Sequence, residues 1–135
     1  MVRKNYLDVN KYRYKGKDIK RRNKKWARQR IHRGFCDWDW WNLDCYLCNL
    51  LSSSIRHLAE NSVGWSQSIA SSYEEYQKRL YTLADRFEEM AEWENNHRPP
   101  QKCNFDWYKE DAENLQKFTK ETFNELGKVF WTLWD

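Results

Sequence analysis

Four cysteines and two of the three histidines are the first residues in this chain that could do chemistry. Cys45-x-x-Cys48, with Cys36, Cys103, His32 and His57, contains enough soft donors for a tetrahedral zinc ion. Cys45 and Cys48 would align on a helix, but structural zinc sites draw their pairs from a knuckle, and a second closely spaced pair is missing. Reduced thiols serving as small core residues are the competing reading. Carboxylates cluster twice, at Asp37, Asp39 and Asp44 and at Glu88, Glu89 and Glu92. Metal-dependent phosphodiester chemistry needs several such groups converging in space. Helix capping explains the first cluster more simply, and a solvated helix face explains the second. His57 has no evident Ser or Cys nucleophile beside it. No residue set declares a reaction, so the expectation is a protein that is not an enzyme and carries no cofactor.

The strongest signal is charge. Residues 1–33 hold fourteen Lys or Arg against Asp8 and Asp18, a formal +12, while the rest of the chain sums to −8, so the net +4 describes a dipolar molecule. Such an arm calls for an anionic partner. Arg3, Lys4, Lys11, Arg13, Lys15, Lys17, Lys20, Arg21, Arg22, Lys24, Lys25, Arg28, Arg30 and Arg33 could neutralise phosphates and release counterions. Tyr12, Tyr14 and Trp26, with Tyr6 nearby, supply faces on which unpaired bases stack. Nucleic acid or a nucleoprotein complex is the partner this combination suits. A charge run packed on the acidic body is the alternative, and a membrane surface fits poorly because the arm lacks a wide apolar face.

The elements that must position these groups read as helices. The chain has 135 residues, one domain's worth, with only four Gly and two Pro and abundant aromatics. Residues 1–16 lack an apolar period and read as an extended arm. From Asp18 a helix carries a thin stripe of Ile19, Trp26, Ala27 and Ile31. Residues 34–135 form the second unit. There Trp40, Leu43, Tyr46, Leu47, Leu50, Leu51, Ile55, Leu58 and Ala59, spaced by three and four, predict one helix capped by Asp37 or Asp39 and ended by Asn61, Ser62 and Gly64. Ser71 and Ser72 before Glu74 and Glu75 open another, with Tyr73, Tyr76, Leu80, Leu83, Ala84, Phe87, Met90 and Ala91 inward and Pro99 and Pro100 as the stop. A last helix starts near Asn104 or Asp106. It carries Trp107, Tyr108, Ala112, Leu115, Phe118, Thr119, Thr122, Leu126, Val129, Phe130 and Leu133 inward, and Gly127 is a possible bend. The expected fold is all-α: a small bundle of three long amphipathic helices plus the basic N-terminal arm and helix.

Neither a membrane span nor a signal peptide is visible, so a cytoplasmic setting with reduced thiols is expected. Among the nine tryptophans, Trp40, Trp93, Trp107, Trp131 and Trp134 lie in or beside apolar stripes and read as core or core edge. Trp38 and Trp41 share a face turned away from the main stripe. With Trp65 they are candidate anchors for a partner protein, unless the pair packs under the basic segment.

Arg33-Gly34-Phe35-Cys36-Asp37-Trp38-Asp39-Trp40-Trp41-Asn42-Leu43-Asp44-x-Tyr46-Leu47, then Ile55-Arg56-His57-Leu58-Ala59, Tyr73-Glu74-Glu75-Tyr76, Phe87-Glu88 and the ending Phe130-Trp131-Thr132-Leu133-Trp134-Asp135 resemble a group of small proteins from tailed bacteriophages and prophages. The resemblance covers roughly residues 33–135 and brings no catalytic residue to carry over. It implies a phage or mobile-element protein working inside a bacterium. The basic arm and the cysteines depart from the group's pattern. The expected function is therefore a non-enzymatic phage accessory protein that binds nucleic acid or a host nucleoprotein, with a counter-defence inhibitor of the anti-CRISPR kind as one form. A virion structural or assembly protein is the rival, and a small metal-dependent enzyme the distant third.

Overall fold

A computed structural model describes residues 19–134, the side chain of Ile19 excepted. Arg3, Lys4, Lys11, Arg13, Lys15 and Lys17 lie outside the described residues, as do Tyr6, Tyr12, Tyr14 and the cap expected at Asp18. The described chain is all-helical: α1 (Ile19–Arg33), α2 (Asp37–Trp41), α3 (Leu43–Asn61), α4 (Tyr73–Ala91), α5 (Trp93–Asn96) and α6 (Phe105–Val129), closed by a 3-10 turn at Phe130–Thr132. No helix among the described residues is long and apolar enough to cross a membrane.

The main core forms where α3, α4 and the end of α6 meet. Tyr76, Leu80, Leu83, Ala84 and Phe87 recur every three or four residues on α4 and are buried. They face Cys48, Ile55 and Ala59 of α3 and Leu126 and Val129 of α6, with Ala70 of the α3–α4 connection completing the cluster. Arg56 ties α3 to α4 by reaching Asp85 at 2.8 Å and Glu88 at 3.0 Å. Arg86 ties α4 to α6: its Nε donates to the buried Thr122 hydroxyl at 2.9 Å, and its guanidinium lies 3.9 Å from the Phe118 ring centroid.

Local signals set the helix ends much as expected. The Ser72 hydroxyl accepts from the Glu75 amide, and the Glu75 carboxylate accepts from the Ser71 amide, so the first turn of α4 is satisfied from both directions. Asn104 caps α6 by accepting from the Trp107 amide at 3.1 Å. Ser62 closes α3. Helix α6 continues through Gly127 to Val129.

Three expectations are corrected. The single helix expected from Asp37 or Asp39 onward breaks at Asn42, whose φ of −129° and ψ of 53° leave the helical region, so α2 and α3 are separate. The break turns Trp40, at 63% exposure, and Leu43 and Leu47 outward, away from the core expected for them. Second, α4 ends at Ala91, eight residues before Pro99, and α5 follows it. The buried Trp93 of α5 donates its indole N–H to Asp111 and packs on Phe118, which accounts for its core position. Third, the buried side chains of α6 are confined to its second half, Thr122, Leu126 and Val129. Tyr108, Ala112 and Phe130 of the expected inner face are exposed, as are Trp131, at 86%, and Trp134. Those residues keep the right spacing, but α4 and α5 extend far enough to cover only part of the stripe.

Candidate nucleic-acid interface

Helix α1 is docked on the body by its own last turns. Its apolar stripe is narrower than expected: Trp26 is buried and Ala27 partly so, while Ile31 points into solvent. Trp26 packs with the fully buried Cys36 and with Trp38, its ring centroid 6.1 Å from that of Trp38. This small cluster shares no residue with the main core. Gly34, at φ +82°, ends α1 in the left-handed region that side chains disfavour, and its amide returns to the Arg30 carbonyl at 2.9 Å. That reversal brings α2 back alongside α1.

Two aspartates of α2 then clamp the basic helix. Asp39, with no exposed side-chain surface, accepts from Arg30 Nε at 2.8 Å and from a terminal guanidinium nitrogen at 2.6 Å, a bidentate pair. Its Oδ2 also accepts from the Cys36 amide at 2.8 Å, so one carboxylate caps α2 and anchors α1. Asp37 accepts from Gln29 Nε2 at 2.9 Å and from Arg33 at 2.7 Å, with Lys25 at 3.5 Å, while its amide donates to Gln29 Oε1. Burial works to raise the Asp39 carboxyl, but the Arg30 hydrogen bonds and the Cys36 amide outweigh it and hold the group below the ordinary carboxylate range. Hydrogen bonds from Gln29 and Arg33 lower Asp37 in the same direction. A depressed folded-state value stabilises above the unfolded pKa and is lost as pH falls through the folded one. The clamp therefore holds at neutral pH and opens only in acid, below about pH 4, the usual carboxylate value.

With the clamp on one side, the other side of α1 is cationic. Lys20, Lys24 and Arg28 follow each other at four-residue intervals, and Arg21, Lys25, Arg28 and His32 form the adjacent row. All are exposed, and Arg21, Arg22, Lys24, Lys25, Arg28, Gln29, His32 and Arg33 line one concave surface. Lys20, Arg21, Lys24 and Arg28 make no ion pair among the described residues.

The structure thus sorts the expected binding residues. Lys20, Arg21, Arg22, Lys24, Lys25 and Arg28 stand in solvent. Trp26 is withdrawn from base stacking because Cys36 and Trp38 cover it, and Arg30 is withdrawn from phosphate binding because Asp39 holds it. Arg33 is half-exposed but engaged by Asp37. Of the expected protein anchors, Trp41 is 61% exposed, Trp38 is half-buried between Trp26 and Trp41, and Trp65 packs on Tyr73 with its indole nitrogen buried. Sequence reasoning does not find Asp37 and Asp39 as partners of α1, nor Gln29 as the α1 side chain that meets Asp37. The available signal is two acids just past a glycine, facing Arg30 and Arg33 one turn apart.

The zinc quartet is not assembled. Among the described residues, no three His, Cys, Asp or Glu side chains come together where they could hold a metal ion. Cys36 lies in the small cluster, Cys48 in the main core, and Cys45 is exposed on the turn before it. Burial pushes the Cys48 thiol up to about 11 and raises Cys36 as well. A thiol reagent at pH 7.5 should therefore leave Cys36 and Cys48 unmodified in the folded protein and label them in denaturant, as read by mass spectrometry of digested peptides.

Comparison with family models, with curated proteins and with solved structures finds no match for this chain.

Proposed function

We propose that this protein acts by binding, and that nucleic acid or a nucleoprotein complex is taken on the outward face of α1. The supporting observation is the division among the cations of one helix. Arg30 and Arg33 are neutralised by Asp39 and Asp37, whereas Lys20, Arg21, Lys24 and Arg28 project from the helix that this clamp docks. Fixed cations at helical spacing gain more from a phosphate backbone than mobile ones, since less side-chain and segment freedom is given up on binding. With this goes a body made of three long amphipathic helices, α3, α4 and α6, with α1 as a fourth, cationic element.

The phage resemblance of residues 33–135 supports placing this activity in an infected bacterium, where a counter-defence inhibitor would compete for a guide or target strand. The acidic body suits a basic channel of the same machine, since opposite potentials steer such partners together. Exposure of Phe130, Trp131 and Trp134 favours a second reading, an assembly protein that covers this aromatic end with another subunit.

Fluorescence anisotropy with labelled oligonucleotides at several salt concentrations tests the first reading. Binding should weaken with salt, and the joint substitution Lys24→Gln and Arg28→Gln should reduce the slope of log K against log salt by roughly 0.7 to 0.9 for each phosphate that is no longer neutralised. Both side chains are exposed, so the fold should be unchanged by circular dichroism. Absence of binding at low salt, or binding indifferent to the double substitution, overturns the proposal.

A further inference from the structure

The way α1 divides its own circumference bears on which form of nucleic acid it accepts. Successive residues of an α-helix point about 100° apart, so Lys20 diverges from Arg21, and Lys24 from Lys25, by that angle. These four make two cationic edges, and Arg28 stands on the crest between them. Trp26, Gln29, Arg30 and Arg33, spaced by three and four, occupy the opposite side and hold the helix to α2. No Asp or Glu interrupts α1, and its one Trp, Tyr or Phe is the buried Trp26, so the outward arc is cationic and offers no stacking face. A single strand presents one line of phosphates, and surfaces that bind it add aromatic rings for the unpaired bases. A duplex presents two backbones with a groove between them. The major groove of B-form DNA is about 12 Å wide and admits an α-helix, which measures about 10–12 Å across with its side chains. The minor groove, at about 6 Å, does not, and the major groove of A-form RNA is deep and narrow. In the major groove of DNA the two edges of α1 meet opposite backbones, and Arg28 is directed at the base edges. Ile31, 80% exposed about one turn beyond Arg28, adds apolar surface where thymine carries its methyl group.

Resting on the reading of α1 as a phosphate-binding face, we infer that its partner is duplex DNA and that α1 lies in the major groove. The α2 clamp then has a second consequence. Asp37 holds Gln29, a residue type suited to adenine, at the rear of the helix, which leaves Arg28, whose guanidinium fits guanine O6 and N7, to meet the bases.

The test uses a labelled DNA duplex of about twenty base pairs, roughly three times the length of α1, with the single strand and the RNA duplex of the same sequence. In anisotropy titrations the full chain should bind duplex DNA on the order of tenfold more tightly than either of the others, which meet one cationic edge at a time. Lys20→Gln with Lys24→Gln removes one edge, and Arg21→Gln with Lys25→Gln removes the other. Each pair should lower the slope of log K against log salt on duplex DNA by about 0.9 for each phosphate no longer neutralised, with the circular dichroism unchanged. At saturating protein, dimethyl sulfate methylation should fall at guanine N7 in the major groove and continue at adenine N3 in the minor groove. Equal or tighter binding of the single strand or the RNA duplex, a slope that either pair leaves unmoved, or guanine N7 left unprotected overturns this inference and leaves the cationic face standing. Failure of all three probes to bind at low salt overturns the cationic face as well.

Discussion

Replacing Asp39 by Asn should release α1 from the body while the α3–α4 core stays folded. The substitution keeps the shape of the side chain but removes the charge that Arg30 is buried against. Breaking a buried pair on one side costs about 3–5 kcal/mol, since the remaining ion is left uncompensated. Here the guanidinium has an escape: α1 can lift away and return Arg30 to water, because its small cluster is separate from the main core. The cost therefore emerges as local opening rather than global unfolding. Hydrogen exchange should show protection of the α1 amides falling by roughly a hundredfold, the equivalent of about 3 kcal/mol, with α4 amides nearly unchanged. Equal loss in α1 and α4 would show that the two clusters unfold as one. Acid should reproduce the release in the wild-type chain below about pH 4, as Asp39 and Asp37 lose their depressed-pKa contribution.

Phe87→Ala should have the opposite distribution. Phe87 is fully buried on α4 and meets Phe123 of α6 edge-on, with ring centroids 5.5 Å apart. Truncation removes a large apolar side chain and leaves a cavity that the surrounding helices close only in part. Such changes cost about 3–5 kcal/mol. The edge-to-face ring pair disappears as well, which weakens the hold of α4 on α6. Urea denaturation should show a midpoint lowered in proportion, with the α3, α4 and α6 amides deprotected together. A shift below about 1 kcal/mol, the scale of a tolerant surface site, would show that this ring is not a core anchor.

Much of this architecture is legible in the chain because its signals are local. Ser72 and Asn104 cap where capping chemistry puts them, and the three- and four-residue spacing of Tyr76, Leu80, Leu83 and Phe87 gives the buried face of α4 directly. The stripe of α3 is legible from Ile55 to Ala59 but misleading at its start. Trp40, Leu43 and Leu47 keep the period without having a partner among the described residues to bury them, and periodicity does not report how long the neighbouring helix is. The break at Asn42 is hidden for a related reason. Asn42 carries no strong stop signal, and the chain turns there because Asp39 and Trp38 are drawn to α1. At the candidate site the cations are evident, but their division is not. Which arginine meets water and which meets an aspartate depends on Gly34 reversing the chain, a tertiary event. Trp26 misleads in the same way: as an aromatic among cations it suggests base stacking, and only the fold shows Cys36 and Trp38 lying over it.

The separation of the two hydrophobic clusters also governs how this sequence can change. Residues that share no packing partner contribute to stability almost independently, so substitutions around Trp26 and Cys36 should add to those around Leu80 and Phe87 without coupling. A lineage, or an engineer, can therefore rewrite the outward row of α1 from Lys20 to Arg28 to suit a new ligand while the supporting helices keep their margin. The body then serves as a reusable base, and the basic helix as its exchangeable part.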